Sequence, residues 1–350
     1  MPFPHKFNPT TLREYDMRGI VGETLDNDDA RALGRTFGTI VREAGGITVC
    51  VGYDGRTTSP ELEAAVVEGL SQAGIAVKRV GRGPTPMLYF ATHHLQADGG
   101  IMITGSHNPP GHNGFKMMLG YKPFFGADIR RLGEIAATGA FADVEEAAES
   151  GEKVSTVSVG EPYLQTLMAA YDEEAQGSAQ ETEMETGKGA ELKVAWDAGN
   201  GAAGEIMARL TQHLAGTHIL LNETIDGSFP NHHPDPSVAE NMLQLQETVR
   251  REDCDLGIAF DGDGDRIGVV DGDGEILWGD QFMVALASEV LENTPGAIII
   301  ADVKASQVLF DEIAHMGGTP LMGRTGHSLI KAQMAETGAL LAGEMSGHIF

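Results

Sequence analysis

Residues 47–80 read I-T-V-C-V-G-Y-D (47–54), G-R-T-T-S-P-E-L-E-A-A-V-V-E-G-L-S-Q-A-G (55–74) and I-A-V-K-R-V (75–80). The first block is an apolar run of strand length ending in Asp54. The second opens with Ser59 as an N-cap and Pro60 at the first helical position, where a missing N–H costs nothing, and predicts a helix to Gly74. The third is another β-rich run. Strand, helix, strand in so few residues is the unit of an α/β protein with a largely parallel sheet.

Working outward, a helix is expected from Thr85 and a third strand over Gly100 to Thr104. The same order returns from Leu192: strand to Asp197, helix from Gly204, strand His218 to Leu221, helix from Val238, strand Leu256 to Phe260. It returns again from Ala297: strand to Asp302, helix from Ser306, strand near Leu321, helix from His327, strand Ala339 to Ala342. Each first strand ends in an aspartate, Asp54, Asp197 or Asp302. The second strand runs into G-R-G-P (81–84) in one unit and G-R-T-G (323–326) in another. Each third strand runs into a polar glycine loop: T-G-S-H-N-P-P (104–110), F-D-G-D-G-D-R (260–266) and G-E-M-S-G-H (343–348). Functional loops of such sheets lie beyond the carboxyl ends of strands. The expected fold is therefore repeated α/β domains with mixed, largely parallel sheets sharing one central cleft. Domain 1 spans 1–155, domain 2 spans 156–275 and domain 3 spans 276–350. The acidic stretch from Asp172 to Glu191 reads as a flexible linker or insertion. I-G-V-V, D-G-D-G and E-I-L-W (267–278) read as a hairpin.

The chain has 350 residues, 46 glycines, two cysteines and a formal net charge of -27. So much negative charge repels nucleic acid and anionic membranes, and neither is an expected partner. Cys50 and Cys254 lie in or beside apolar runs and read as reduced thiols. With no apolar segment of signal or membrane length, the expected location is the cytoplasm. An anionic substrate would need local cations.

Asp261, Asp263 and Asp265 alternate with glycines that let the backbone turn tightly, so three carboxylates can face one point. Hard oxygen donors without Cys or His suit Mg²⁺ better than zinc. An EF-hand is excluded, since Arg266 stands at its glycine position and Gly272 at its glutamate position. Ser106 follows the apolar I-M-I-T in a loop with His107, Asn108 and two prolines, with Lys116 further on in N-G-F-K. No G-x-S-x-G elbow surrounds it, and activation by phosphorylation or by a metal stays open. G-N-G-A-A-G (199–204) follows a strand, opens a helix and has Glu223 about twenty residues on, as a dinucleotide fingerprint requires. It supports a rival reading as an NAD-dependent oxidoreductase. His93, His213 and His315, in helical stretches, read as packing or surface residues; His232 and His233, in a proline-stiffened loop, read as structural, with a place bordering the cleft as the alternative. Tyr15 and Arg18 precede any expected strand, and their role stays open.

Together, Y-D-M-R-G, G-Y-D-G-R-T-T-S-P, T-G-S-H-N-P, N-G-F-K, F-P-N-H-H-P-D-P, F-D-G-D-G-D-R, T-G-H-S-L-I-K and G-E-M-S-G-H resemble the α-D-phosphohexomutases, and most closely the bacterial phosphomannomutase/phosphoglucomutase branch. The resemblance runs from about Tyr15 to Phe350. It departs from the family at Gly105, where alanine is usual. It implies reversible phosphoryl transfer between the 1- and 6-hydroxyls of mannose or glucose phosphates through a 1,6-bisphosphate, which also serves as activator. Ser106 would be the phosphoserine. Asp261, Asp263 and Asp265, with an oxygen at Ser106, would hold one Mg²⁺. Arg266, Lys304, Arg18 and Tyr15 would meet phosphate and substrate, with His107 and Asn108 beside the serine. Lys116 and His348 would be candidates for proton transfer, and His327 would line the cleft. Glu344 and Ser346 would grip sugar hydroxyls. The family continues into the rest of a third domain and a fourth that clamps the distal phosphate, so the resemblance implies a C-terminally truncated chain whose own activity is low. An inactive truncated module and a metal-serine phosphatase are the other readings, the latter lacking the expected histidine and aspartate metal clusters.

Overall fold

The chain forms three separate sheets, and aliphatic runs that are buried on both faces form middle strands of the first and third. The computed structural model describes residues 4–141, 153–181 and 192–350, with backbone alone for 172–181. The chain divides into two units, Met1–Tyr163 with Ile225–Pro230, and Leu164–Thr224 with Asn231–Phe350.

The first unit runs β1 (Met17–Ile20), α1 (Asn27–Glu43), β2 (Thr48–Tyr53), α2 (Ser59–Gln72), β3 (Ala76–Arg82), α3 (Thr85–His94), β4 (Gly99–Ile103), β5 (His112–Leu119), β6 (Lys122–Pro123), α4 (Ala127–Thr138) and β7 (Val154–Thr156). Its sheet has the order β1-β5-β4-β2-β3-β7, with β6 beside β5. β4, β2, β3 and β7 are parallel, and β5 and β1 return antiparallel. Helix α1 starts where it does because Asp26 caps the amides of Asp28 and Asp29 while Asp29 accepts from the Asp26 amide, a reciprocal capping box. Phe37, Val49, Val51, Leu62, Val66 and Ile101 meet in the core between sheet and helices.

Helix α5 (Gly160–Glu181) leads into the second unit. There β8 (Lys193–Asp197), α6 (Gly204–Leu210), β9 (Thr217–Leu221), α7 (Ala239–Glu252), β10 (Leu256–Phe260), β11 (Ile267–Asp271) and β12 (Ile276–Leu277) form a sheet of order β12-β11-β10-β8-β9. After α8 (Gly279–Asn293), β13 (Ile298–Asp302), α9 (Gln307–His315), β14 (Thr319–Gly323), α10 (His327–Thr337) and β15 (Leu341–Gly343) form one of order β14-β13-β15.

The three sheets share one plan. In each, the first strand of the repeat is central, the second lies on one side and the third on the other: β3-β2-β4, β9-β8-β10 and β14-β13-β15. All these pairings are parallel. In the first two sheets the chain then turns back antiparallel, and in the third an antiparallel bridge joins Gly343 and Ile349.

Four expectations change. Thr58, not Ser59, is the cap residue of α2, because the Ser59 hydroxyl is drawn 2.6 Å to Asp54. The acidic stretch from Asp172 is helical through Glu181, and 182–191 lie outside the described residues. Arg18 lies on a strand, β1, and N-G-F-K lies inside β5. His213 sits in a turn after α6.

Candidate active site

In the first unit the serine loop leaves the end of β4 and returns as β5. Ser106 is 1% exposed and has φ of 49°. That left-handed conformation costs a non-glycine residue about 1–2 kcal/mol, so the surroundings must impose it. Two groups do. The Ser106 amide donates to Thr104 Oγ1 at 2.8 Å. Arg56, itself 2% exposed, holds the loop from inside. Its Nη2 donates to the carbonyls of Ser106 (2.7 Å) and Asn108 (2.5 Å), and its Nη1 to those of Pro109 (2.7 Å) and His112 (3.0 Å). The guanidinium fills the space beside Gly105, where a Cβ would lie 2.4 Å from Arg56 Nε. A larger residue there must displace it.

Around the serine, Oγ is 3.2 Å from His107 Nδ1. Asn108 accepts from Arg18 Nη1 at 3.1 Å, and Arg18 pairs with Asp16. Lys116 sits in β5 opposite Met102 and is 3% exposed. Tyr15 is half-buried. Burial lowers the His112 pKa, and the charges of Arg56, Arg13 and Arg18 lower it further.

In the second unit Asp261, Asp263 and Asp265 each present a carboxylate oxygen within 4.8 Å of the others. Asp261 and Asp263 are wholly buried. Asp261 Oδ1 caps the turn, accepting from the amides of Asp265 (3.1 Å) and Arg266 (3.2 Å). Three converging carboxylates with neither sulfur nor imidazole are the donor set of a hard divalent cation.

A polar chain leads from this loop to the glycine loop after β15. Asp265 Oδ1 lies 3.1 Å from His348 Nε2, and His348 Nδ1 lies 2.7 Å from Glu344 Oε2 and 2.9 Å from Ser346 Oγ. Glu344 Oε1 accepts from the Gly326 amide. Burial favours a neutral His348 ring, yet the two carboxylates hold its pKa above the ordinary value. Burial pushes the Glu344 carboxyl up, but His348, the Gly326 amide and Arg266 outweigh it and leave the pKa low. Glu344 thus spends both oxygens on protein donors. Arg266 Nη1 is 3.9 Å from Asp235, the His327 ring centroid is 5.5 Å from that of His348, and Lys304 is exposed.

G-N-G-A-A-G is not a phosphate cradle. Five of its six amides are already used: Gly199 donates to Asp197 Oδ1, Asn200 to Asn222 O, Gly201 to Ala198 O, Ala202 to Gly262 O and Gly204 to Gly201 O. Such a cradle works through free amides at a helix N-terminus. The third glycine, Gly204, instead lets Glu223 O approach, where a Cβ would lie 2.0 Å away. His232 Nε2 lies 2.8 Å from Asp197 Oδ2. Sequence reasoning gave Arg56 no role. The signals were its place in G-Y-D-G-R-T-T-S-P and in a turn that follows an aspartate-ended strand.

Comparison with known proteins agrees with this geometry. Family models described as phosphoglucomutase/phosphomannomutase alpha/beta/alpha domains I, II and III match residues 9–142, 169–274 and 278–350. A phosphomannomutase/phosphoglucomutase of Pseudomonas aeruginosa is 42% identical over 339 residues, covering 97% of this chain and 69% of its own length. A phosphoglucomutase of Neisseria gonorrhoeae is 41% identical, with coverage of 97% and 70%. A solved structure of a phosphoglucomutase/phosphomannomutase family protein from Burkholderia thailandensis is similar with a TM-score of 0.88 and 41% identity, over 98% of this chain and 72% of that one. The parafusin structure from Paramecium shares the fold, with a TM-score of 0.80 at 19% identity.

Proposed function

The chain belongs to the phosphoglucomutase/phosphomannomutase family, and from that premise we propose how its residues divide the work. It is a phosphohexomutase, an isomerase acting on hexose phosphates. The observation that supports the assignment of roles is that each matched domain carries one polar loop at the same edge of the same sheet plan.

Ser106 is the phosphoryl carrier. Its phosphorylated form gives the group to the free hydroxyl of a hexose 1- or 6-phosphate, and the other phosphate of the resulting 1,6-bisphosphate returns to the serine. Phosphoryl transfer of this kind depends on position and electrostatics more than on covalent chemistry. The Asp261, Asp263 and Asp265 carboxylates hold Mg²⁺, which would neutralise charge developing on the phosphoryl oxygens. Phosphoserine carries about -1.5 to -2 charge at neutral pH, and Arg18 and Arg266 offset charge of that kind. Lys116 and His348 are the candidates for moving the sugar hydroxyl proton, and Glu344 and Ser346 for holding the ring. Tyr15, His107, Asn108, Lys304 and His327 complete the proposed substrate contacts. Glucose or mannose 1,6-bisphosphate serves as activator.

Incubation with glucose 1,6-bisphosphate and Mg²⁺, followed by peptide mass spectrometry, tests the reading. One phosphate on Ser106 is the expected result. Phosphate on another residue, or none on any, overturns it. Among the described residues no helix is long and apolar enough to cross a membrane.

A further inference from the structure

The aspartates that end the first strand of each repeat touch none of the proposed chemistry, yet Asp54 and Asp197 are 1% exposed and Asp302 is fully buried. A buried carboxylate is expensive unless hydrogen bonds satisfy it. The same expense at the same place in three sheets calls for a shared reason.

Their partners supply it. Asp54 Oδ1 accepts from the Arg56 amide (3.0 Å) and the Ser59 hydroxyl (2.6 Å), and its Oδ2 takes the Gly105 amide at 3.2 Å. Gly105 is the residue before Ser106. Asp197 Oδ1 accepts from the Gly199 amide (2.9 Å) and Asn222 Nδ2 (2.8 Å), and its Oδ2 faces His232 Nε2 at 2.8 Å. Those partners lie on the two loops that hold Gly262, between the first two metal-site aspartates. The Ala202 amide donates to Gly262 O at 2.9 Å, and the Gly262 amide donates to Pro234 O at 3.1 Å. Asp302 Oδ2 accepts from Thr325 Oγ1 at 2.9 Å. Thr325 precedes Gly326, whose amide binds Glu344.

We propose that Asp54, Asp197 and Asp302 are positioning residues, one per repeat, each fixing the functional loop of its own domain. Asp54 sets the serine loop. Asp197 sets the metal loop through the G-N-G-A-A-G and N-H-H-P segments, which gives the decoy motif a purpose. Asp302 sets the loop that orients Glu344. The inference rests on the functional reading above.

Asp54→Asn, Asp197→Asn and Asp302→Asn keep the shape and remove the charge. Three measurements on each full chain separate local positioning from general damage. These are the rate of Ser106 phosphorylation by glucose 1,6-bisphosphate at saturating Mg²⁺, the Mg²⁺ affinity by calorimetry, and the glucose 6-phosphate affinity. Loss of a supporting partner behind a site typically costs about 10–100-fold in affinity or activity. Each variant should lose that much on its own measurement and far less on the other two. Equal losses on all three, or none on the matching one, overturn the proposal. If the Asp54 or Asp197 variant does not fold, hydrogen exchange in the native protein decides. The Gly105 and Gly199 amides should then be protected like strands β2 and β8, and fast exchange refutes the idea. Ser106→Ala and Asp263→Asn are the controls. If they leave phosphorylation and Mg²⁺ binding intact, the functional reading itself has failed, whatever the three aspartates do.

Discussion

Replacing Arg56 by lysine should loosen the serine loop more than any other conservative change in the first unit. One guanidinium donates to the carbonyls of residues 106, 108, 109 and 112. Lysine offers three donors from a single point on a flexible stem and cannot reproduce a planar fork that reaches four acceptors. By the spread of the four acceptors, about two buried carbonyls would lose their partner. Each orphaned group costs about 1–3 kcal/mol, so Arg56→Lys should cost about 2–6 kcal/mol. Against a typical total stability of about 5–15 kcal/mol, the chain should still fold. The damage should be local, because the donors lost all serve residues 106–112. Urea melts should show the stability loss. Hydrogen exchange should rise in 104–112 and leave α1 and β2 nearly unchanged. Labelling of Ser106 by glucose 1,6-bisphosphate should slow, since its φ of 49° is no longer imposed. A variant within about 0.5 kcal/mol of the parent, with Ser106 labelled at the parent rate, would refute the clamp.

Asp263→Asn should weaken Mg²⁺ binding at least about tenfold. In Mg²⁺-free buffer it should melt no lower than the parent, because it relieves repulsion among three crowded carboxylates, and a large drop in melting temperature would contradict that. Gly204→Ala drives a Cβ against Glu223 O and should cost about 1–3 kcal/mol. NAD titrated into the parent chain should give no binding signal, and saturable binding would revive the dinucleotide reading. The hydrogen bond to Asp29 raises the His5 pKa above 6.5, so the stabilisation it brings is complete below that unfolded value and fades as pH rises through the folded one. The stability gap between parent and His5→Ala should therefore be wider near pH about 5.5 than near about 8.5, and a gap that widens with pH would show the sign to be wrong.

How much of this was legible depends on what each residue bonds to. The parallel strands were, since V-C-V in β2 and I-M-I in β4 are buried on both faces and leave an apolar run. Strand β5 was not, because His112, Asn113 and Lys116 give it a loop's composition; Asn113, for one, pairs with Thr58 and Ser59. Ser106 and the aspartate triad could be picked out by residue type at strand ends. Arg56 could not, because its partners are carbonyl oxygens, and every residue has one. The G-N-G-A-A-G loop failed for the same reason: whether an amide is free for phosphate depends on backbone acceptors such as Gly262 O. Side-chain chemistry shows in a sequence, while backbone chemistry shows only in a fold.

The same distinction resolves the puzzle of charge. A chain of net charge -27 looks hostile to a sugar phosphate. Yet screening confines exposed charges to about 8–10 Å, whereas buried ones act at short range with little loss. Around the serine loop the buried cations are Arg18, Arg56 and Lys116, and the two arginines are each held against a carboxylate and turned toward loop oxygens. His112 reports the result. Burial lowers its pKa first, but the next three causes are arginines, and only Glu23 opposes them. In the second unit Arg266 acts in the same sense but as the smallest cause: it adds to the partners that hold the Glu344 carboxyl low and opposes the carboxylates that keep the His348 pKa raised. On the proposed reading, the field a phosphate meets at each loop is set by the guanidinium groups nearest that loop, and the acidic surface beyond the screening length has little say in it.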